Sequence, residues 1–197
     1  MGWMSNEEGL EKCRANHVPL SPLSHLQRAA KVFPDVLAVS YGAHRISYAQ
    51  YHARCSRLAA ALNAMGVAPG EVVATVLPNI PAQAEAHFGV PACGAVLNTI
   101  NTRLDVDTVA YILDHGEAKV VLADTQFLDM VEAACAALAT PPRIIEVPDA
   151  GFPATGRHMV YDDLLATGDP DFAWIMPQDE WESLALNYTS GTTGRPK

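Results

Sequence analysis

The stretch Asn187-Tyr188-Thr189-Ser190-Gly191-Thr192-Thr193-Gly194-Arg195-Pro196-Lys197 concentrates backbone freedom, hydroxyl groups and positive charge as no other part of this chain does. Ahead of it Leu184, Leu186 and Tyr188 alternate with Ala185 and Asn187, the two-residue period of a short strand. Gly191 and Gly194 let the backbone turn where side chains would block it. Successive N–H groups in such a turn form a concave nest of donors. Thr189, Ser190, Thr192 and Thr193 add hydroxyls, and Arg195 and Lys197 bring charge suited to phosphate oxygens. The stretch reads as a phosphate grip hung from a strand end.

It is not the common P-loop, which has four residues between its glycines, a lysine directly after the second and a helix opening there. Pro196 disfavours the helical region for Arg195 and offers no N–H, so a helix does not begin just ahead of Lys197. A polar hairpin or linker is the bland alternative for any Ser/Thr/Gly cluster. Against that stands the full string Tyr-Thr-Ser-Gly-Thr-Thr-Gly-Arg-Pro-Lys, which resembles the signature loop of the adenylate-forming, AMP-binding enzymes: acyl-CoA synthetases, luciferases and peptide-synthetase adenylation domains. Two further stretches carry the same likeness. Ile46-Ser47-Tyr48-Ala49-Gln50-Tyr51 is similar to the family's first core motif, with Gln50-Tyr51 where an acidic-leucine pair is more usual. Gly94 to Leu104 is similar to its second, and its Asn-Thr-Arg-Leu form, 101–104, resembles acyl-CoA synthetases rather than peptide-synthetase domains.

The resemblance implies a two-step reaction. A carboxylate attacks the α-phosphate of ATP to give an acyl-adenylate and pyrophosphate, and coenzyme A then takes the acyl group. It implies that Thr189, Ser190, Gly191, Thr192, Thr193, Gly194 and Lys197 hold the departing phosphates, with Mg²⁺ as counter-ion within reach of Thr192 or Thr193. Lys197 is either a point charge for the outer phosphate or a clamp on the loop. Both upstream motifs are mainly structural in the family, so they receive no catalytic role. The family's signature is followed by more than half of the enzyme, so the 197 residues alone are expected to be inactive. The terminus at Lys197 reads equally as a nick in an exposed glycine-rich loop or as the end of a gene. Two other readings stay open, an amino-acid adenylation module and a non-catalytic α/β fragment.

Composition bounds these options. A chain of 197 residues, 49% hydrophobic, can build a substantial core. A formal charge of −9 argues against nucleic acid or an anionic membrane as the main partner, so any polyanion must be held locally. The uncharged run at 86–102 is broken by Gly89, Pro91 and Gly94 and cannot span a bilayer. No export or lipid-anchor signal opens the chain, so the expected location is the cytoplasm. Cys13, Cys55, Cys93 and Cys135 form no CxxC pair and read as buried thiols. The histidines make no metal-ligand pattern, and no nucleophilic triad can be argued. Small-molecule acid, ATP and CoA are the expected partners, and a homodimer is left open.

Along the chain, helical spacing predicts helices at 21–33, 47–66, 78–94, 105–115, 124–138 and 161–167. Apolar runs predict a hairpin at 36–47 and strands at 71–77, 95–98, 119–123, 143–147 and 184–188. The β-α-β-α-β order implies an α/β fold, a mostly parallel sheet flanked by helices. The expected organisation is an N-terminal extension at 1–20, an α/β subdomain at 21–148, and at 149–197 a connecting segment and strand leading into the phosphate loop. Asn98, Thr99, Asn101 and Thr102 could bind a ligand at a strand end, but such residues also make ordinary turns.

Overall fold

The computed structural model describes residues 9, 11–13 and 15–189, so 190–197 of the signature loop lie outside the described residues. An apolar strand such as Val72–Val76 (β3) cannot sit at a solvated surface. Its alternate residues fill two cores: Val73 joins one and Ala74 and Val76 the other. Around it a six-stranded sheet is assembled from Val96–Thr99 (β4), Ala118–Asp124 (β5), Arg143–Val147 (β6), Met159–Val160 (β7) and Ala185–Leu186 (β8). The order is β7-β6-β5-β3-β4-β8 and every pairing is parallel. Leu23–Val32 (α1), Tyr48–Ala64 (α2), Pro81–Ala92 (α3) and Tyr161–Thr167 (α6) supply the core on one face. Val106–His115 (α4) and Leu128–Ala136 (α5) supply it on the other. The result is the expected α/β architecture.

Helix ends follow local chemistry. Ser47 and Gln50 form a capping box at the start of α2, Ser47 Oγ accepting from the Gln50 N–H while Gln50 Oε1 accepts from the Ser47 N–H at 2.9 Å. Gln50 therefore does at this position what a glutamate would do. Ser47→Ala should cost about 1 kcal/mol in urea unfolding. Asp105 caps α4 by accepting from the Thr108 N–H. Asp124 caps a single 3₁₀ turn, Thr125–Phe127, and α5 begins only after it, later than helical spacing suggested.

The hairpin Leu37–Tyr41 (β1) and His44–Ser47 (β2) is antiparallel and packs on α2 rather than joining the large sheet. The segment around 148–157 is a surface connection, and β7 and β8 beyond it enter the same sheet as β3 to β6. Two expectations are corrected. Met159–Val160 is a strand that a two-residue run gives no period to reveal, and the final strand is only Ala185–Leu186. Cys55, Cys93 and Cys135 are buried free thiols, but Cys13 is exposed, because the segment before α1 packs little.

Candidate functional site

Strand β8 is the element that delivers the signature loop. Among the described residues it pairs parallel with β4 alone, Leu97 opposite Ala185 and Asn98 opposite Leu186, and the Leu97 N–H donates to the Leu184 carbonyl at 3.0 Å. With only two residues in the ladder, β8 needs a further hold on the chain it releases. Tyr188 supplies one: its ring packs against the α4-side core and its hydroxyl lies 2.7 Å from His115 Nδ1 at the end of α4. The two rings meet edge to face at 5.7 Å, and Tyr111 stacks on His115 as well. Burial pushes the Tyr188 phenol above its ordinary range, so it stays protonated near neutrality. Beside this anchor a shallow cleft of about 340 Å³ is lined by His115, Gly116, Lys119, Leu186 and Tyr188.

Thr189 is the one predicted grip residue among those described, and it lies exposed at the exit from β8. Ser190, Gly191, Thr192, Thr193, Gly194 and Lys197 lie outside the described residues. The neighbouring strand end divides by function. Asn101 Oδ1 accepts from the Arg103 N–H at 3.0 Å, the ordinary turn role weighed for it. Asn98 makes no such turn: it is fully buried on β4, and neither its Oδ1 nor its Nδ2 has a partner among the described residues. Sequence reasoning missed that state, since only the burial of the strand reveals it.

A second polar centre, outside the β8 site, holds the helices together. Glu85 on α3 is completely buried. It accepts from Arg54 Nε on α2 and from the Tyr161 hydroxyl of α6 at 2.8 Å, while Arg54 also reaches Asp162 at 2.9 Å. Burial pushes the Glu85 carboxyl above its ordinary value, against the pull of Arg54 and Tyr161. Arg54, Tyr161 and Asp162 border a cleft of about 490 Å³. Since Arg54 and Tyr161 both already donate to carboxylates, this cluster reads as structural rather than catalytic. An almost wholly apolar cleft of about 640 Å³ lies between α3, β1 and β8, lined in part by Tyr51, Phe88, Leu97 and Leu184.

Among the described residues no group of three His, Cys, Asp or Glu is placed to hold a metal, and no helix is long and apolar enough to cross a membrane.

Comparison with known proteins places this geometry. The chain is 42% identical to the peroxisomal acetate/butyrate–CoA ligase AAE7 of Arabidopsis thaliana over 96% of its length, which is 36% of that protein. It is 39% identical to the 2-methylpropanoate–CoA ligase CCL4 of Humulus lupulus, again over 96% of this chain and 36% of the other. The chain thus spans about a third of the length of these relatives. Its fold matches the anthranilate CoA ligase AuaEII, solved with anthranoyl-AMP, with a TM-score of 0.84 over 95% of this chain and 35% of that one at 24% identity. Acetoacetyl-CoA synthetase from Streptomyces lividans matches with a TM-score of 0.79 at 27% identity, over 89% of this chain and 29% of the other.

These relatives correct one expectation. Several, AAE7 and the trans-cinnamate:CoA ligase of Petunia hybrida among them, are named peroxisomal, which overturns the cytoplasmic location read from the missing export signal. That absence at the start of a chain says nothing about other addresses. The AMP-binding enzyme profile matches residues 26–197, taking in the hairpin, the whole parallel sheet and the signature loop, and the chain belongs to the AMP-binding enzyme family.

Proposed function

We propose that this chain is the phosphate-gripping part of an ATP-dependent carboxylic acid–CoA ligase acting on a short-chain acid. The observation that carries the reading is the signature loop leaving the edge strand of a parallel α/β sheet, just past the Tyr188–His115 anchor. The relatives named as acetate, butyrate and 2-methylpropanoate ligases favour a small acyl group and coenzyme A as acceptor over an aminoacyl carrier.

The first step brings two anions together, a carboxylate and a triphosphate. Their repulsion in a partly desolvated site is worth several kcal/mol, so the enzyme must present fixed donors where charge builds as the α–β bond breaks. The N–H and hydroxyl groups of Thr189, Ser190, Gly191, Thr192, Thr193 and Gly194 suit that task, because they take up charge without reacting. Lys197 adds a cation to the outer phosphate or clamps the loop. Mg²⁺ enters with ATP as the counter-ion of the nucleotide, and the Thr192 or Thr193 hydroxyl is the group of this chain that would reach it. The glycines let the loop open for pyrophosphate to leave.

The 197 residues alone should not turn over, because they span a third of the relatives. The test is a chain extended from Lys197 with the part of AAE7 beyond the matched region, assayed for acyl-CoA from acetate and butyrate. Acyl-CoA formed by the extended chain and not by the 197 residues is the expected result. A folded extended chain that makes none with any short acid counts against the reading.

A further inference from the structure

On both sides of its two-residue ladder β8 keeps the alternation of a strand: Leu184, Leu186 and Tyr188 are half-buried, while Ala185, Asn187 and Thr189 are exposed. A ladder this short at a sheet edge specifies register weakly, and a slip of one residue turns every side chain to the opposite face. What holds Tyr188 toward α4, rather than Asn187 or Thr189, is His115, the last residue of that helix. This imidazole is exposed, and an exposed histidine at a helix end ordinarily has no reason to be fixed. Here Tyr111, one turn back on α4, stacks on it with ring centroids 5.4 Å apart. The Tyr188 ring meets it edge to face, and the Tyr188 hydroxyl lies 2.7 Å from its Nδ1. Asn187 or Thr189 brought to this place by a slip would supply no ring and no phenol, so the slipped register loses both contacts. The helix end fits the observed register at a second point. A Cβ on Gly116 would come 3.3 Å from Leu186 Cδ2, so α4 closes on Leu186 only because residue 116 has no side chain.

From these contacts we infer that His115 is a positioning residue for the phosphate grip, which it serves by locking the register of β8 through Tyr188. A strand advances about 3.3 Å per residue, so a slip of one would carry Thr189, the first residue of the grip, that far along the edge and turn it toward α4. With Tyr188 locked, Thr189 leaves on the opposite, exposed face. His115 touches no reacting atom and acts only through Tyr188. It belongs to none of the three stretches that carry the family likeness, and it stands 73 positions from the residue it holds.

The positioning role rests on the reading of the loop as a phosphate grip, whereas the register lock does not, so the two are measured apart. In the 197-residue chain, hydrogen exchange at the Leu97 amide, which donates to the Leu184 carbonyl across the β4–β8 ladder, reports the register. His115→Phe keeps a ring without a nitrogen, and Tyr188→Phe keeps a ring without a hydroxyl. Each should lower the protection of the Leu97 amide about tenfold, the scale of one lost hydrogen bond, while protection at Val121 in the middle of the sheet and the melting temperature stay unchanged. The double variant should lose no more than either single one, because all three remove the same bond. In the extended chain each variant should lower kcat for carboxylate-dependent ATP–pyrophosphate exchange at least about tenfold, as a misplaced donor would, and leave KM for the carboxylate unaltered. Unchanged Leu97 protection overturns the inference, and so do additive losses in the double variant, a loss of protection at Val121 as well, or full exchange activity in the variants. An unsubstituted extended chain that folds but exchanges nothing refutes the ligase reading, and the positioning role falls with it. The register lock is still decided by the Leu97 amide in the 197-residue chain.

Discussion

Arg54→Leu should lower the stability of this chain by about 3–5 kcal/mol at neutral pH, among the largest losses available to a single side chain in this fold. The substitution strands Glu85, which is completely buried between α2, α3 and α6 with Tyr161 as its one remaining donor. A buried carboxylate without its cation escapes by taking up a proton. Even with Arg54 present, burial holds the Glu85 carboxyl above its ordinary value. The folded state therefore binds this proton more readily than the unfolded chain, and stability falls as pH rises from the ordinary carboxylate range through the raised folded value. Losing Arg54 raises that folded value further and carries the window toward neutrality. The difference between Arg54→Leu and the unsubstituted chain should thus be greatest near pH 7.5 and shrink by pH 5, and Arg54→Leu/Glu85→Gln should recover most of it. Urea unfolding at the two pH values checks this. An equal loss at both would mean that Glu85 is not charged in the fold.

Gly168→Ala is the second large effect. Gly168 ends α6 in an extended conformation that any residue adopts, so its glycine is there for space and not for backbone freedom. A Cβ at this position would collide with the Arg57 carbonyl oxygen and lie 2.7 Å from its carbon, inside the backbone of α2. A rigid helix cannot yield there, so the end of α6 must move out. That movement breaks the bond from Arg57 Nη1 to the Gly168 carbonyl, 2.9 Å long, and loosens Leu164 and Leu165 in the core. The expected cost is about 3 kcal/mol or more, the upper end for overpacking. A midpoint in urea unfolding within error of the unsubstituted chain would show that the two helices are not in this contact.

The fold was legible where the sequence repeats a pattern long enough to measure. The β-branched run at 71–77, the three-and-four spacing of Tyr48, Tyr51, Cys55, Leu58 and Leu62, and the punctuation by Ser47, Asp105 and Gly116 each gave an element close to its observed bounds. Two-residue strands such as β7 carry no measurable period and are made by the sheet that receives them. The signature loop was read from the resemblance of its full string to the family's, because a Ser/Thr/Gly cluster by residue types alone is an ordinary linker, and 190–197 lie outside the described residues. What surrounds it was not. The pairing of Tyr188 with His115 spans 73 positions and that of Arg54 with Glu85 spans 31, distances at which local spacing says nothing. Asn98 looked like a turn residue because asparagine near a strand end normally is one, and its burial depends on β8 and α4 closing over it.

The central claim is that the closing loop grips the leaving pyrophosphate of ATP. The most direct measurement is carboxylate-dependent ATP–pyrophosphate exchange in the extended chain, with and without the double substitution Thr192→Ala/Thr193→Ala. Loss of two donors from the developing charge should cut exchange by at least about 100-fold while the melting temperature stays the same. Undiminished exchange in the doubly substituted protein would contradict it.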